Sequence, residues 1–413
     1  MIEAMTAALR AIDRQRFVRI ADGLAILLAL AIPWSTTAAG IVAALYAIAV
    51  LPMLDAGSIR TVRATPAMWL PVALVALGVL GLLWADIPLA DRLAALNPVA
   101  KLLVVPLALL HFQRSERVTW VIAAFVVSCT ALLAVSLVPA AVPPLRWMWA
   151  RSYGVPVKDH IVQNGEFLIG MFALLYLAVE RVRANRRGAA LGLLALAVLF
   201  LVGIVYVSTG RTALATLPVL LLLLGLRLFR WRGVAGAAAV GIVLGLLAWF
   251  SSPYVRERTT AVIGEVHLYQ AENAETSSGY RLEFWKKSLR FIAAAPVLGH
   301  GTGSIESLFQ KAAVGTTGAS AAITSNPHNQ TLMVGIQFGI VGIVLLWAMW
   351  VAHVLLFRAD GFVAWFGLVV TVQIIVGSLF NSLLSDFTTG WIYVLGVGAA
   401  GGTVLRTRRQ ILP

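Results

Sequence analysis

Long, uninterrupted apolar runs recur along the whole chain, and no other feature limits its fold as much. They cover 17–34, 37–54, 67–84, 98–112, 117–138, 160–180, 189–207, 211–229, 233–250, 328–357, 361–379 and 387–405. A helix needs about 20 apolar residues to cross a bilayer. Backbone polar groups in lipid must be satisfied locally, which leaves helix bundles and closed barrels. Barrel strands alternate apolar with polar residues, and these runs do not. The expected fold class is therefore an all-α polytopic membrane protein with about 12 transmembrane helices. Hydrophobic residues make up 60% of the 413 positions and charged residues 12%. A soluble domain is about half apolar and about a quarter charged, so a soluble enzyme, a disordered chain and a nucleic-acid reader are excluded.

The charges suggest an orientation. With the N-terminus in the cytoplasm, cytoplasmic loops hold 19 of the 32 Lys and Arg residues, including the cluster Arg181, Arg183, Arg186 and Arg187. Short outside segments hold 6, among them Lys101 and Arg211, and a long outside loop holds the rest. This is the asymmetry expected of cytoplasmic loops, and it puts both termini inside. The net charge of +14 fits such loops together with an anionic ligand. The single cysteine, Cys129, allows no intramolecular disulfide. No cleavable signal peptide is visible, and the first helix serves as the insertion signal. Residues 3–16 read as an amphipathic interfacial lead-in.

Three parts follow: helices 1–9 over 1–250, a large outside loop over 251–327, and helices 10–12 over 328–413. The loop is partly helical, because Leu282, Trp285, Leu289 and Ile292 repeat at helical spacing. The shorter outside segment 139–159, with Trp147 and Trp149, reads as an aromatic interfacial belt.

Four places could carry chemistry. Asn326-Pro327 is a helix-start signal that puts His328 in the first turn of helix 10. The positive helix end keeps an imidazole there neutral, fit either for a general base or for plain hydrogen bonding at the interface. Ser208-Thr209-Gly210-Arg211 opens helix 8 with an arginine, poised either for an anion or for snorkelling. Arg281 lies in the first turn of the loop helix, four residues before Trp285; it either binds an anion or pairs with a neighbouring Glu. Gly299-His300-Gly301-Thr302-Gly303-Ser304 is either a phosphate nest or a connector. Gly241 and Gly245 read as a helix-packing pair, and Glu166 and Asp386 are the main acidic exceptions near helix ends. Two arginines and a histidine on one side suit a diphosphate and a proton acceptor. No Asp-x-Asp pair, His/Cys cluster or phosphate-loop signature is present, so no metal site, cofactor or nucleotide is expected.

These motifs resemble a known family. His328-Asn329, nine residues and then Gly339-Ile340-Val341-Gly342 resembles the histidine motif of bacterial O-antigen ligases. The Arg211 motif, and Arg281 followed by Trp285, resemble the family's two arginine positions. Pro296 to Ser304 resembles its intervening loop, and Arg151-Ser152-Tyr153-Gly154 a weaker position. The arginine motifs are shared with O-antigen polymerases and protein O-oligosaccharyltransferases, and Arg290, ten residues and then Gly301 is similar to a polymerase pattern.

The resemblance implies a GT-C-like membrane glycosyltransferase without a cofactor. It would transfer O-antigen polysaccharide from undecaprenyl diphosphate to lipid A-core at the periplasmic face of the cell inner membrane. Arg211 and Arg281 would bind the diphosphate, His328 would act as general base, and Trp285, Asn329, Tyr280 and Arg151 would bind substrate. Partners would be the lipid-linked donor, the lipid A-core acceptor and membrane lipids. The alternatives are an O-antigen polymerase or related oligosaccharyltransferase and, more distantly, an anion or lipid-linked sugar transporter.

Overall fold

The computed structural model describes residues 2–149, 152–208 and 210–411, with side chains from residue 14 to residue 410. Arg151 and Thr209 lie outside the described residues. The described residues form helices and no β-strand. In order these are α1 (Ile2–Ala31), α2 (Thr36–Val50), α3 (Ala56–Ala64), α4 (Pro66–Leu80), α5 (Leu89–Ala94), α6 (Asn97–Ala100), α7 (Val104–Phe112), α8 (Val118–Ala141) and α9 (His160–Arg183). Then follow α10 (Arg187–Val202), α11 (Arg211–Ser251), α12 (Pro253–Glu272), α13 (Ser277–Ala294), α14 (Ile305–Ala313), α15 (Gln330–Leu356), α16 (Phe362–Gly377) and α17 (Phe387–Ile411). Among the described residues, nine helical segments are long and apolar enough to cross a membrane. They share one hydrophobic core that runs from Ala21 to Val404. The chain is a multi-pass helical membrane protein.

Several expected elements change, each for a local reason. The lead-in 3–16 and the first apolar run form one helix, α1, because no Pro or Gly separates them. The fourth run reaches back to Leu89 in short pieces, broken where Pro98 enters the first turn of α6. Lys101, expected in an outside segment, is buried at that break, and its Nζ donates to the carbonyls of Ser385 and Asp386. The outside loop is mostly helical, with α12 and α14 joining the expected α13.

The largest change concerns the tenth run. It is a hairpin rather than one helix. Gly339 interrupts α15 at φ 58°, ψ −151°. The chain reverses there, so that Trp347 Nε1 donates to Thr331 Oγ1 at 3.3 Å across the two legs. A nine-residue leg, 330–338, runs back along the longer leg 340–356. The eighth and ninth runs form a second hairpin within α11, which reverses at Arg230 (φ 57°, ψ −148°). Its legs meet at Gly225 and Gly233, where a Cβ on Gly225 would stand 2.3 Å from the Gly233 carbonyl oxygen. Gly241 and Gly245, expected as the packing pair, do not fill that role: Gly245 has open space around it.

Basic side chains tie the loops at the end of the bundle that holds Arg230. Arg183 donates to the Leu228 carbonyl at 2.8 Å, Arg227 to those of Arg358 and Ala359, and Arg114 to that of Met53 at 2.8 Å. The opposite end carries the candidate site.

Candidate active site

Arg211 is the first residue of α11. Its guanidinium lies 3.3 Å and 3.5 Å from the two carboxylate oxygens of Glu265 on α12, and it donates to Ser278 Oγ at 3.0 Å. Glu265 also accepts from the Ser278 backbone N–H at 2.9 Å. Burial alone would raise the Glu265 carboxyl; the hydrogen bonds from Ser278 and Arg211 outweigh that and hold it below the usual carboxylate range. Thr276 caps α13, accepting from Gly279 N at 3.0 Å. The helix therefore starts at Ser277, and Arg281 falls in its second turn rather than the first. Burial and the like charge of Arg211 lower the Arg281 pKa, against the pull of Glu265, and at so high a starting value the group stays cationic.

Arg211 and Arg281 line one cavity of about 260 Å³ together with Trp285, Ser278 and Phe380. The indole Nε1 of Trp285 is buried without an acceptor among the described residues. Two cationic forks therefore border one small space, with the Trp285 ring in its wall. That arrangement suits a ligand with several anionic oxygens.

His328 reaches the same region by a different route from the one its sequence suggests. The cap of α15 is Asn329, whose Oδ1 accepts from Thr331 N (2.9 Å) and Leu332 N (3.1 Å), while its Nδ2 donates to the Leu379 carbonyl. The Asn329 side chain is thus engaged in capping. Asn326 instead accepts from His328 N at 2.9 Å, and His328 stands just outside the helix in a left-handed conformation, φ 54°. That conformation is uncommon for a side chain of this size.

Its Nδ1 lies 2.7 Å from Asn381 Oδ1. With Asn381 accepting there, the neutral ring carries its proton on Nδ1 and presents a free lone pair at Nε2. Burial pushes the His328 pKa below its ordinary value, and the charge of Arg281 adds to this while the Asn381 bond opposes it. The expected direction is unchanged, but the causes are burial and a neighbouring cation rather than the helix end. The ring stacks at 6.2 Å on Phe284, which stacks at 6.0 Å on Tyr280. The Tyr280 hydroxyl donates to Glu275 at 3.0 Å.

The glycine loop clips the α15 hairpin. Backbone N–H groups of His300 and Gly301 donate to the carbonyls of Ile336 and Gln337 at the end of the short leg, each at 2.9 Å. Ile340 and Val341, at the start of the long leg, donate to Pro296 and Val297. Thr302 N donates to Gly81 O on the α4 side, and Gly303 N to Gln337 Oε1. A phosphate nest needs free N–H groups, and these are spent. The loop is a built connector that satisfies exposed helix ends.

Sequence reasoning passed over Glu265 as a partner of Arg211, and it passed over Asn381. Asn381 sits in the polar stretch 378–386 between α16 and α17, and that polarity inside an apolar chain was the available signal. Nothing local connects Glu265 with Ser278, which meet only through the α12–α13 turn. Asp386 caps α17 by accepting from Thr389 N at 2.9 Å. Both carboxylate oxygens of Glu166, deep in α9, are buried without a donor among the described residues.

The fold and site define a class: a helical multi-pass membrane protein with two arginines in one cavity and a nearby neutral histidine. Residues 196–347, the segment that carries Arg211, Arg281 and His328, match the family model described as O-antigen ligase. The chain is also similar to an uncharacterized protein of Haemophilus influenzae, 29% identical over 109 residues. The match spans 25% of this chain and 27% of that protein.

Proposed function

We propose that the protein is an O-antigen ligase that transfers polysaccharide from undecaprenyl diphosphate to lipid A-core, without a metal ion, at the periplasmic face of the inner membrane. The observation that carries this reading is the single cavity shared by Arg211, Arg281 and Trp285, with the Arg281 charge acting on His328. Nine long apolar segments, the short α16, helix α1 and the division of α11 into two legs support twelve crossings with both termini cytoplasmic. A GT-C-like arrangement goes with that topology.

The chemistry is a single inverting displacement. The two guanidinium groups hold the diphosphate and neutralise the charge that grows on its oxygen as the anomeric bond breaks. The acceptor hydroxyl attacks the anomeric carbon from the opposite face and gives its proton to His328 Nε2. Undecaprenyl diphosphate leaves with the electron pair of the broken bond. Asn381 holds the ring in the tautomer that can accept. Glu265 holds Arg211 in place and offsets one of the two positive charges before the donor binds.

The test is reconstitution of purified protein with lipid-linked polymer and lipid A-core. Ladder-length polysaccharide on lipid A-core, lost in Arg281→Ala, supports the reading. Longer lipid-linked chains made from single repeat units would instead identify a polymerase. Movement of the donor across vesicles with no new glycosidic bond would identify a transporter.

A further inference from the structure

The stretch 325–330, which carries His328, borders a second cavity. Arg281 and Phe380 belong to the arginine cavity. Ser325 and Gln330, on either side of His328 in the chain, line a different cavity of about 560 Å³. The segment that holds the His328 ring touches both cavities: Phe380, just before Asn381, lines the arginine cavity, and Leu384 and Ser385, three and four residues after it, line the larger one. The 380–385 segment therefore lies between the two cavities, and His328 is bonded to it at Asn381.

The two cavities have opposite electrostatic character. No Lys or Arg lines the larger one; its charged lining residues are Asp86, Asp91 and Glu306. Asp86 is paired with Lys311 at 3.0 Å, while the Asp91 carboxylate accepts no hydrogen bond from the described residues. These acids do not gather for a metal: no group of three His, Cys, Asp or Glu side chains among the described residues could hold one. Carboxylates in this setting repel a diphosphate. Gln310 adds an amide, and Val334 and Phe338 add apolar surface. Acceptors and an amide beside an apolar wall match an uncharged polyhydroxylated ring, which offers hydroxyl donors at its edge and C–H groups on its face. The volume lies within the range of small-molecule sites, about 300–1,000 Å³.

We infer that the cavity between the α4–α5 connection, α14 and the short leg of α15 binds the uncharged saccharide of the acceptor and delivers its hydroxyl to His328. The assignment rests on the reading of the site as a glycosyl transferase and adds which side each substrate enters from. Donor and acceptor are then separated by charge before they meet.

The test uses Ala94→Trp, which places an indole at the exposed rim of this cavity, and Asp91→Asn, which keeps its shape. Steady-state transfer is measured against lipid A-core at saturating donor and against donor at saturating acceptor. Direct binding of undecaprenyl diphosphate is measured in parallel. Ala94→Trp should raise the acceptor KM by about tenfold or more and Asp91→Asn by roughly threefold, with kcat and donor binding within about twofold, the pattern of lost ground-state binding. An unchanged acceptor KM in both variants overturns the inference, as does a rise in donor KM alone. Arg281→Ala separates the two readings. If it leaves undecaprenyl diphosphate binding intact, the transferase reading fails; if it abolishes binding while Ala94→Trp spares the acceptor KM, only the acceptor cavity is wrong.

Discussion

Two hairpins in this molecule reverse on one residue with nearly the same backbone angles. Arg230 in α11 has φ 57°, ψ −148°, and Gly339 in α15 has φ 58°, ψ −151°. This region of backbone space is almost reserved for glycine. Arg230 is exposed, with room for its side chain. At Gly339 an added Cβ would stand 2.4 Å from the Val297 carbonyl oxygen and 2.6 Å from that of Pro296. Each hairpin also presents a site residue at the start of its first leg. Arg211 lies a full helix away from its turn, whereas only nine residues separate Asn329 from Gly339. One turn is strained but free, and the other is closed in and sits next to the chemistry. The difference teaches that equal dihedral angles carry unequal constraints. Neighbouring backbone decides what the position tolerates, and distance to the site decides what a change does to activity.

The largest expected effect is at the short hairpin's open end. His328→Ala should bind the lipid-linked donor yet lose about 10²–10⁴-fold in transfer, the usual worth of general-base assistance. The pH profile checks the same assignment. The His328 pKa is lowered by burial and by Arg281, so the basic form is complete above the ordinary histidine range. Activity should stay level there and fall only as pH drops through a value below about 6.5. Arg281→Gln removes a nearby positive charge and should move that acid limb upward in whatever activity remains. A His328→Gln protein with near-normal turnover and an unchanged profile would remove the base assignment.

Next come the cationic forks. Arg211→Lys and Arg281→Lys keep the charge but not bidentate binding to phosphate oxygens. Each should cost about 2–4 kcal/mol in the transition state, roughly 30- to 1000-fold in kcat/KM. Arg211 is already held by Glu265 and Ser278, so its Lys variant also loses that alignment. Near-wild-type kinetics in both variants would reduce the long hairpin's arginine to a snorkelling residue.

Gly339→Ala tests the closed turn directly. The new methyl must displace Val297 or tilt the short leg, and the left-handed backbone adds about 1–3 kcal/mol of strain. A shift of about 1 Å in the position of His328 is enough to cost roughly 10²-fold in rate. Donor binding should change far less, because the arginines stand on α11 and α13. Equal losses of donor binding and transfer would mean that the two hairpins are coupled more tightly than their separate anchors suggest.

The contrast between the hairpins also marks how far the sequence is legible. Apolar runs located the helices because lipid leaves a chain few alternatives. The Arg230 reversal was legible as a break between two runs, since Arg230 and Arg232 interrupt apolarity. The Gly339 reversal was not. Phe338-Gly339-Ile340 reads as uninterrupted helix, and the turn exists because the loop from Pro296 to Gly303 reaches in to accept and donate the hydrogen bonds the broken helix leaves open. The same limit applies at the site. Arg211, Arg281 and His328 stood out as charged or titratable residues near helix starts. The helix start itself was misplaced by three residues, because Asn326 and Asn329 are both competent caps and only the tertiary bond from Asn329 to Leu379 favours the second. Glu265 and Asn381 act through partners 54 and 53 residues away, and no local pattern carries such pairings.

The smallest effect belongs to Arg230→Gly, and it is the control for the whole comparison. Glycine adopts φ 57°, ψ −148° without the penalty of about 1–3 kcal/mol that a side chain incurs there. Against that gain stands the extra freedom glycine has when unfolded, about 0.4–1 kcal/mol. The balance favours the variant by about 1 kcal/mol. Its side chain is exposed at the end of the bundle remote from Arg211 and His328, so transfer rate and both KM values should match the wild type within about twofold. Thermal unfolding in detergent micelles and steady-state kinetics measured on the same preparation read the two quantities together. A marked loss of transfer in Arg230→Gly would show that the long hairpin transmits its turn geometry to Arg211, and tolerance could no longer be assigned to distance from the site.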